Sequence, residues 1–277
     1  MKQRKVVVVK GAGDLATGVA LRLWRTGFAV IMTELAKPLA VRRTVAFAEA
    51  IFTGEQTVEG IQAKRCDMAD VGALLNQRII PVLVDPAAQV LALFQPDVLV
   101  DAIMAKVNTG TTLHDAPLVL ALGPGFTAGI DCHAVVETNR GHYLGRALWQ
   151  GSAEPDTGEP GRLPGVESKG SRVLRAPDAG RIEAHVPIGA FVASGAQVAT
   201  LHTAQDEQIP VLAGVDGVLR GLIHPSVDVT AGTKIGDIDP RAAPDHCYTV
   251  SDKSLAIAGG VLEAILTVYQ EKWLGIV

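Results

Sequence analysis

The sequence predicts an α/β protein that begins with a largely parallel sheet and continues into a small all-β domain and a final helix. Three observations support this class: a strand, turn, helix and strand pattern at the amino end, an internal repeat near the carboxyl end, and an aliphatic composition. Of all residues, 48% are hydrophobic and only 4% are aromatic, so the core relies on Val, Leu, Ile and Ala. The length of 277 residues predicts two domains rather than one.

The first domain opens with a βαβ unit. Residues 5–9 form a β-branched run, residues 14–26 carry apolar side chains at helical spacing, and residues 28–33 form a second apolar run. Later apolar runs predict further strands of the same sheet at residues 79–84, 98–103 and 118–122. We interpret residues 1–150 as a Rossmann-like nucleotide-binding domain.

An internal repeat occupies residues 171–241, after a Gly- and Pro-rich stretch over residues 151–170 that predicts a linker or exposed loop. An offset of 37 residues aligns, for example, Gly180 with Gly217. The repeat resembles the two half-units of a small barrel-sandwich hybrid of the biotinyl/lipoyl type. No lysine occurs at the corresponding hairpin, residues 202–208, which argues against covalent biotin or lipoate.

The last segment, residues 242–277, predicts a helix that runs through residues 256–272 and is capped by Ser251 or Asp252. Gly259 and Gly260 inside this helix each cost about 1 kcal/mol relative to Ala. We therefore expect close backbone packing at both glycines.

Charge and targeting signals exclude several classes of protein. The 25 basic and 29 acidic residues give a net charge of −4, which does not favour nucleic acid or an anionic membrane as a partner. The sequence contains neither the apolar core of a signal peptide nor a run long enough to span a bilayer, so we expect a cytoplasmic protein. The three widely spaced cysteines predict free thiols and no metal site.

A glycine-rich turn between the first strand and the first helix is the main candidate for cofactor binding. It fits the dinucleotide fingerprint, and an acidic residue follows at the end of the second strand. The predicted cofactor-binding residues are Gly11, Ala12, Gly13, Asp14, Leu15, Ala16 and Glu34. Asp14 departs from the pattern because an anion repels phosphate unless a cation intervenes. The alternative is that the glycines only make a tight turn against the sheet.

Basic residues follow the glycine turn at Arg42 and Arg43. These two arginines are predicted to form a solvated helix face, with phosphate contact as the alternative.

A second polar cluster supplies the candidates for chemistry. The predicted catalytic residues are Lys106, Asp131, Cys132, His133, Glu137, Arg140 and His142. Lys106 follows a strand's carboxyl end, where open α/β sheets bind ligands, although a structural pair with Asp101 is an equal alternative. Structural histidines are the alternative for His133 and His142, and Cys132 is either a buried inert thiol or a thiolate stabilised by an imidazolium.

Five blocks of this sequence resemble the YqeB family of accessory proteins for selenium-dependent molybdenum hydroxylases. They are residues 10–18, 101–111, 123–146, 221–241 in part, and 259–263. The resemblance implies a maturation role: helping a client hydroxylase to acquire its finished cofactor. Because such cofactors join a pterin to a nucleotide through pyrophosphate, the glycine turn is expected to bind a molybdopterin dinucleotide or NAD(P).

Two alternative functions stay open at this point. The first is an NAD(P)-dependent oxidoreductase of a small acid, with Lys106 or His133 as the proton donor. The second is a scaffold or chaperone without enzymatic activity, which binds its client through the all-β domain and nucleotide at the turn. Homo-oligomerisation is compatible with each of them.

Overall fold

A computed structural model describes residues 4–156 and 171–270 of the chain. In these ranges the strands are β1 (Val6–Lys10), β2 (Ala29–Glu34), β3 (Glu55–Val58), β4 (Ile61–Arg65), β5 (Ile80–Val84), β6 (Val98–Asp101), β7 (Leu118–Leu122), β8 (Ala134–Val136), β9 (Ala147–Leu148), β10 (Val173–Arg175), β11 (Arg181–Ala184), β12 (Phe191–Val192), β13 (Gln197–His202), β14 (Gln208–Leu212), β15 (Gly217–Leu222) and β16 (Lys234–Asp239). The helices are α1 (Asp14–Arg25), α2 (Ala50–Thr53), α3 (Val71–Asn76), α4 (Val90–Phe94) and α5 (Asp252–Tyr269). The described part of the predicted linker is residues 151–156, and the rest of it lies outside the described residues.

The first half of the chain forms a mixed sheet with nine strands among the described residues, in the order β3-β4-β5-β2-β1-β6-β7-β8-β9. Strands β4 to β8 are parallel, and an antiparallel strand is added at each end. Strand β1 has β2 on one side and β6 on the other. The chain therefore builds the sheet outward from β1 first in one direction and then, from β6, in the other. Such a reversal leaves a crevice at the carboxyl ends of the strands.

Helices α1 and α5 pack against each other and against this sheet, and their apolar side chains share one core with strands β1, β2 and β6. Ser251 caps α5 by accepting a hydrogen bond from the Ser254 amide at 3.1 Å. The two helices approach so closely that a Cβ on Gly18 would overlap the Ser254 hydroxyl. The carboxyl-terminal helix therefore belongs to the core of the large sheet.

The second half of the chain forms two antiparallel sheets, β10-β16-β15-β12 and β11-β13-β14. The first strand of each repeat pairs with the last strand of the other: β10 pairs with β16, and β14 pairs with β13. Val192 pairs with Gly217, and Val229 pairs with Gly180. The two pairs are equivalent, because the repeat offset of 37 residues relates Val192 to Val229 and Gly180 to Gly217. Each sheet thus takes strands from both copies of the repeat.

The predicted fold class, a Rossmann-like domain followed by a barrel-sandwich hybrid, is wrong. The structure instead has one mixed sheet and two antiparallel sheets in the described ranges. A doubly wound parallel sheet needs long crossover helices, but α2, α3 and α4 contain only 4, 6 and 5 residues. The apolar runs identify strands β1, β2, β5, β6 and β7 of the large sheet but not β3, β4, β8 and β9. The repeat offset does not determine which strands pair, because pairing depends on side chains distant in sequence.

None of the helices in the described part of the chain is both long and apolar enough to cross a membrane.

The two glycines of α5 differ in their surroundings, which gives a test of the helix packing. A Cβ on Gly260 would overlap the carbonyl oxygen of Gly145, whereas a Cβ on Gly259 would meet only the Arg22 guanidinium at 3.8 Å. We expect Gly260→Ala to destabilise the fold by about 1–3 kcal/mol, because backbone atoms cannot move aside. Gly259→Ala should stabilise it by up to about 1 kcal/mol through helix propensity.

Denaturant unfolding of the two variants measures this difference in free energy. Equal effects of the two substitutions would contradict the packing of α5 described above.

Candidate functional site

The glycine turn follows the carboxyl end of β1, next to the end of β6. Gly11 has φ +90°, and a Cβ there would lie 2.9 Å from the carbonyl oxygen of Ala102, so only glycine lets the ends of these strands approach. Gly13 is the residue before α1 and has extended backbone, and its Cβ position has no neighbour within 4 Å among the described residues. Gly11 therefore serves packing, while Gly13 exposes backbone at the amino end of α1.

Glu34 braces the turn from the end of β2. Its Oε2 accepts a hydrogen bond from the Ala12 amide at 2.8 Å, and its Oε1 accepts one from the Leu35 amide at 2.8 Å. Burial raises the pKa of the Glu34 carboxyl, and these two hydrogen bonds act in the opposite direction. Both oxygens are thus engaged in positioning the turn.

Arg42 compensates for the acid at the start of α1. Its guanidinium pairs with Asp14 at 3.2 Å and donates to the carbonyl oxygens of His246 and Thr249 at 3.0 and 3.2 Å. Arg42 is 6% exposed, so the prediction of a solvated helix face is wrong for this residue. It connects the glycine turn with the segment that leads into α5.

A buried lysine occupies the carboxyl end of β1. Lys10 donates to the Thr111 hydroxyl at 2.6 Å and lies 3.4 Å from the Asp101 carboxylate, and Thr111 donates to that same carboxylate at 2.6 Å. Asp101 therefore pairs with Lys10, which the sequence analysis did not single out. Lys106 instead pairs with Asp156 at 2.5 Å.

Two acids of the second polar cluster hold loops together. Asp131 accepts hydrogen bonds from Asn108 at 3.1 Å and from the Thr127 amide at 2.7 Å. Glu137 is buried and accepts from the amides of Asn139 and Glu154 at 2.6 and 2.7 Å. These carboxylates shape the loops after β7 and β8.

The remaining members of the cluster point in different directions. His133 accepts a hydrogen bond from the Val119 amide at 3.0 Å, and His142 is exposed and packs edge-on against Tyr143. Arg140 forms two hydrogen bonds, of 2.7 and 2.8 Å, with Asp252 at the start of α5. Cys132 is fully buried, and burial, followed by Asp131, raises the pKa of its thiol to about 12.

A cavity of about 480 Å³ lies beside the amino end of α1. Its lining combines residues from the half of the chain that forms the large sheet with residues of the antiparallel sheets. Four of its cations come from the first part of the chain and α5: Arg42, Lys106, Arg140 and Lys253. Four more come from the region of the antiparallel sheets: Arg172, Arg175, Arg220 and Lys234. Against these eight, the described lining contains four acids, which leaves an excess of four positive charges in a protein of net charge −4.

The cavity gathers some of the predicted site residues and leaves others out. Asp14, Leu15, Lys106 and Arg140 line it. The predicted residues that are not part of its described lining are Gly11, Ala12, Gly13, Ala16, Glu34, Asp131, Cys132, His133, Glu137 and His142.

No site role was predicted for the cations that follow residue 170. One signal was available: Arg220 is the charged residue of the otherwise apolar strand β15, and the acids at positions 237 and 239 share one face of β16. A charge in an apolar strand needs a partner or a ligand.

The cavity's acids are largely committed to neighbouring cations. Asp237 accepts a hydrogen bond from Arg172 at 2.7 Å. Asp239, just outside the cavity, accepts from Arg241 at 2.9 and 2.6 Å. Burial alone would raise the pKa of Asp239, but the hydrogen bonds from Arg241 hold it at about 2. The pair with Arg241 keeps Asp239 ionised, and the two pairs leave other cations of the cavity without hydrogen-bonded carboxylates.

No arrangement of three or more His, Cys, Asp or Glu side chains that suits a metal ion occurs within residues 4–156 and 171–270.

Comparison with known proteins gives one similar sequence and several weakly similar structures. The chain is 48% identical over 263 residues to Uncharacterized protein YqeB of Escherichia coli (strain K12), covering 95% of this chain and 47% of that protein. The chain thus spans about half the length of this relative. The similarity supports the resemblance to the YqeB family, while the relative's name assigns no function. No family model matches the chain.

Two of the similar solved structures have low similarity scores. A succinylglutamate desuccinylase/aspartoacylase from Rhodobacter sphaeroides has 16% identity and a TM-score of 0.27, with 85% of each chain covered. The apo ectoine utilization protein EutE (DoeB) from Ruegeria pomeroyi has 13% identity and a TM-score of 0.28, with 85% of this chain and 86% of that chain covered. These TM-scores are too low to support an argument about fold or activity.

The burial of Cys132 gives a test of whether its thiol is available for chemistry. Because its pKa is raised to about 12, almost none of it is thiolate at about pH 8. We expect iodoacetamide to leave Cys132 unlabelled in the native protein and to label it after denaturation, as measured by peptide mass spectrometry. Labelling at equal rates in the two states would contradict this environment.

Proposed function

We propose that this protein is an accessory protein for maturation of a selenium-dependent molybdenum hydroxylase and that it binds a nucleotide-bearing cofactor beside the glycine turn. The cofactor is a molybdopterin dinucleotide or NAD(P), each of which carries a pyrophosphate. The maturation role follows from the resemblance to the YqeB family, in line with the 48% identity to YqeB. The chemical class of the ligand follows from the cavity.

One observation carries the proposal: a cavity with an excess of four positive charges, within its described lining, adjoins the amino end of α1. The first amides of a helix have no partner within the helix and point toward its amino end. Together with the helix dipole, they favour a phosphate group at this position. The cavity volume of about 480 Å³ lies within the roughly 300–1,000 Å³ typical of small-molecule sites.

The acid at the start of α1 does not oppose this assignment. Asp14 would repel a phosphate if it stood alone, but its carboxylate is paired with the buried Arg42 at 3.2 Å. Gly13, just before it, offers backbone without a side chain, and no described atom lies within 4 Å of its Cβ position. A pyrophosphate can therefore approach the turn from the open side of Gly13.

Different residues of the chain have different roles in binding the ligand. The amides at the start of α1 bind the pyrophosphate, and Glu34 positions the turn through the Ala12 amide. Lys106 and Arg140 line the cavity but are each paired with a carboxylate, so we assign to them the orientation of the ligand rather than the main attraction. Where a molybdopterin is the ligand, its metal centre would supply redox chemistry to the client enzyme, and this chain would supply the binding site.

Substitution of Gly13 tests the binding site without disturbing the fold. Gly13 has φ −64°, which any residue adopts, so Gly13→Asp should fold normally and place an uncompensated anion at the phosphate position. We expect it to weaken binding of pyrophosphate-bearing ligands by at least about tenfold, equivalent to about 1.4 kcal/mol. Calorimetry with NAD⁺, ADP and an extract that contains molybdopterin dinucleotide measures the change.

Gly72→Asp is the matched control, because Gly72 is an exposed glycine outside the cavity with no described atom within 4 Å of its Cβ position. This variant should bind as the unmodified protein does. The proposal fails if the unmodified protein binds none of the three ligands, or if Gly13→Asp binds them equally well.

A further inference from the structure

Arg220 is a buried cation without a hydrogen bond to any described residue. It lies in β15, is 8% exposed, and lines the cavity. Its guanidinium is 3.7 Å from the Asp237 carboxylate and 3.8 Å from that of Asp239, distances beyond those of hydrogen bonds. Its Nε is buried without a partner in the described part of the chain.

The two carboxylates near Arg220 offset only part of the effect of its burial. Asp237 is hydrogen-bonded to Arg172, and Asp239 is hydrogen-bonded to Arg241. Burial lowers the pKa of Arg220 and the positive charge of Arg42 lowers it further, whereas Asp237 and Asp239 act in the opposite direction without restoring it. A buried guanidinium in these surroundings is costly to the folded protein unless an anion accepts its hydrogen bonds.

Arg42 is a second cation of the cavity that is close to fully buried. Its side chain is 7% exposed, its Nε also lies buried without a partner among the described atoms, and it too lines the cavity. Two nearly buried guanidinium groups that repel each other therefore face one cavity. An anion between them would relieve the repulsion and accept hydrogen bonds that the protein leaves unmade.

We propose that the Arg220 end of the cavity is a phosphate subsite, in which the Arg220 guanidinium donates hydrogen bonds to the phosphate oxygens and Arg42 adds its positive charge. A phosphate fits better than a carboxylate because it is dianionic and presents oxygens that match the planar guanidinium fork. The subsite goes beyond the cofactor proposed above because it needs no nucleotide. The phosphate is either inorganic phosphate or the phosphate group of a larger ligand.

The charge of the cavity supports a second phosphate in addition to the pyrophosphate. Lys253 and Lys234 also line it, and neither donates a hydrogen bond to a carboxylate in the described ranges. Lys234 comes no closer than 4.0 Å to Asp237, which Arg172 already engages. The unpaired positive charge is thus concentrated on the side of the cavity formed by β15, β16 and the start of α5.

The test compares Arg220→Met with the unmodified 277-residue chain, using inorganic phosphate as the probe. If Arg220 exists to bind an anion, removing its charge relieves the burial cost, so the Tm without phosphate should be unchanged or raised. The increase in Tm that phosphate causes in the unmodified protein, against chloride at equal ionic strength, should be lost. The Kd for phosphate by calorimetry should rise by at least about tenfold.

Two further variants keep the test decisive. Arg181→Met is the matched control, because Arg181 is exposed, pairs with the exposed Asp228 and lies outside the cavity lining; it should keep the phosphate response. Arg220→Lys retains the charge but loses the planar fork, so it should fold even if Arg220→Met does not, and should bind phosphate about tenfold more weakly.

The outcomes separate this inference from the proposed cofactor. A lower Tm for Arg220→Met together with an intact phosphate response would show a structural ion pair and overturn the subsite, as would absence of phosphate binding by the unmodified chain. Competition between AMP and inorganic phosphate would support a ligand-borne phosphate, and binding of phosphate without such competition would support free phosphate. If Gly13→Asp leaves nucleotide binding unchanged while Arg220→Met abolishes phosphate binding, the cofactor proposal fails and the subsite stands.

Discussion

The buried guanidinium of Arg42 lies where three parts of the molecule meet at the cavity. It pairs with Asp14 at the start of α1 and donates to the carbonyl oxygens of His246 and Thr249, in the segment that precedes α5. It also lies close enough to Arg220, in the antiparallel sheets, to lower that side chain's pKa. The glycine turn, the last helix and the second half of the chain are therefore arranged around one cation.

This arrangement concentrates positive charge in a protein that is acidic as a whole. The net charge of −4 excludes a general attraction for polyanions, whereas the described lining of the cavity has an excess of four positive charges. Such a contrast favours a small anionic ligand that enters the cavity over a large polyanion that covers the surface. We expect added salt to weaken binding of such a ligand, because salt screens the attraction between charges. This effect of salt is smaller for the buried cations than for the exposed ones.

Local sequence patterns predicted much of the first half of the chain. The β-branched run before the glycine turn predicted a strand, which is β1 in the structure. The helical spacing after the turn predicted a helix, which is α1. Gly11 and Glu34 both contribute to the turn, although Glu34 contributes through the amides of Ala12 and Leu35. These features depend on residues that are close in sequence or belong to one βαβ unit.

The features that the sequence did not reveal depend on contacts between distant residues. The predicted fold class was wrong because the pairing of the antiparallel strands depends on residues distant in sequence, which no apolar run specifies. Lys10 pairs with Asp101, 91 positions away, and Arg220 faces the same cavity as Arg42. Close packing explains Gly260, which contacts Gly145, but not Gly259, although both glycines look alike in the sequence.

The central claim, that the cationic cavity binds a pyrophosphate-bearing nucleotide, is tested most directly by mass spectrometry. The 277-residue chain is purified from a host that makes molybdenum cofactor and is measured under native and then denaturing conditions. The account predicts a mass excess in the native protein and release of a molybdopterin nucleotide or NAD(P) on denaturation. A protein that carries no ligand, and that remains free of ligand after incubation with these nucleotides, would contradict it.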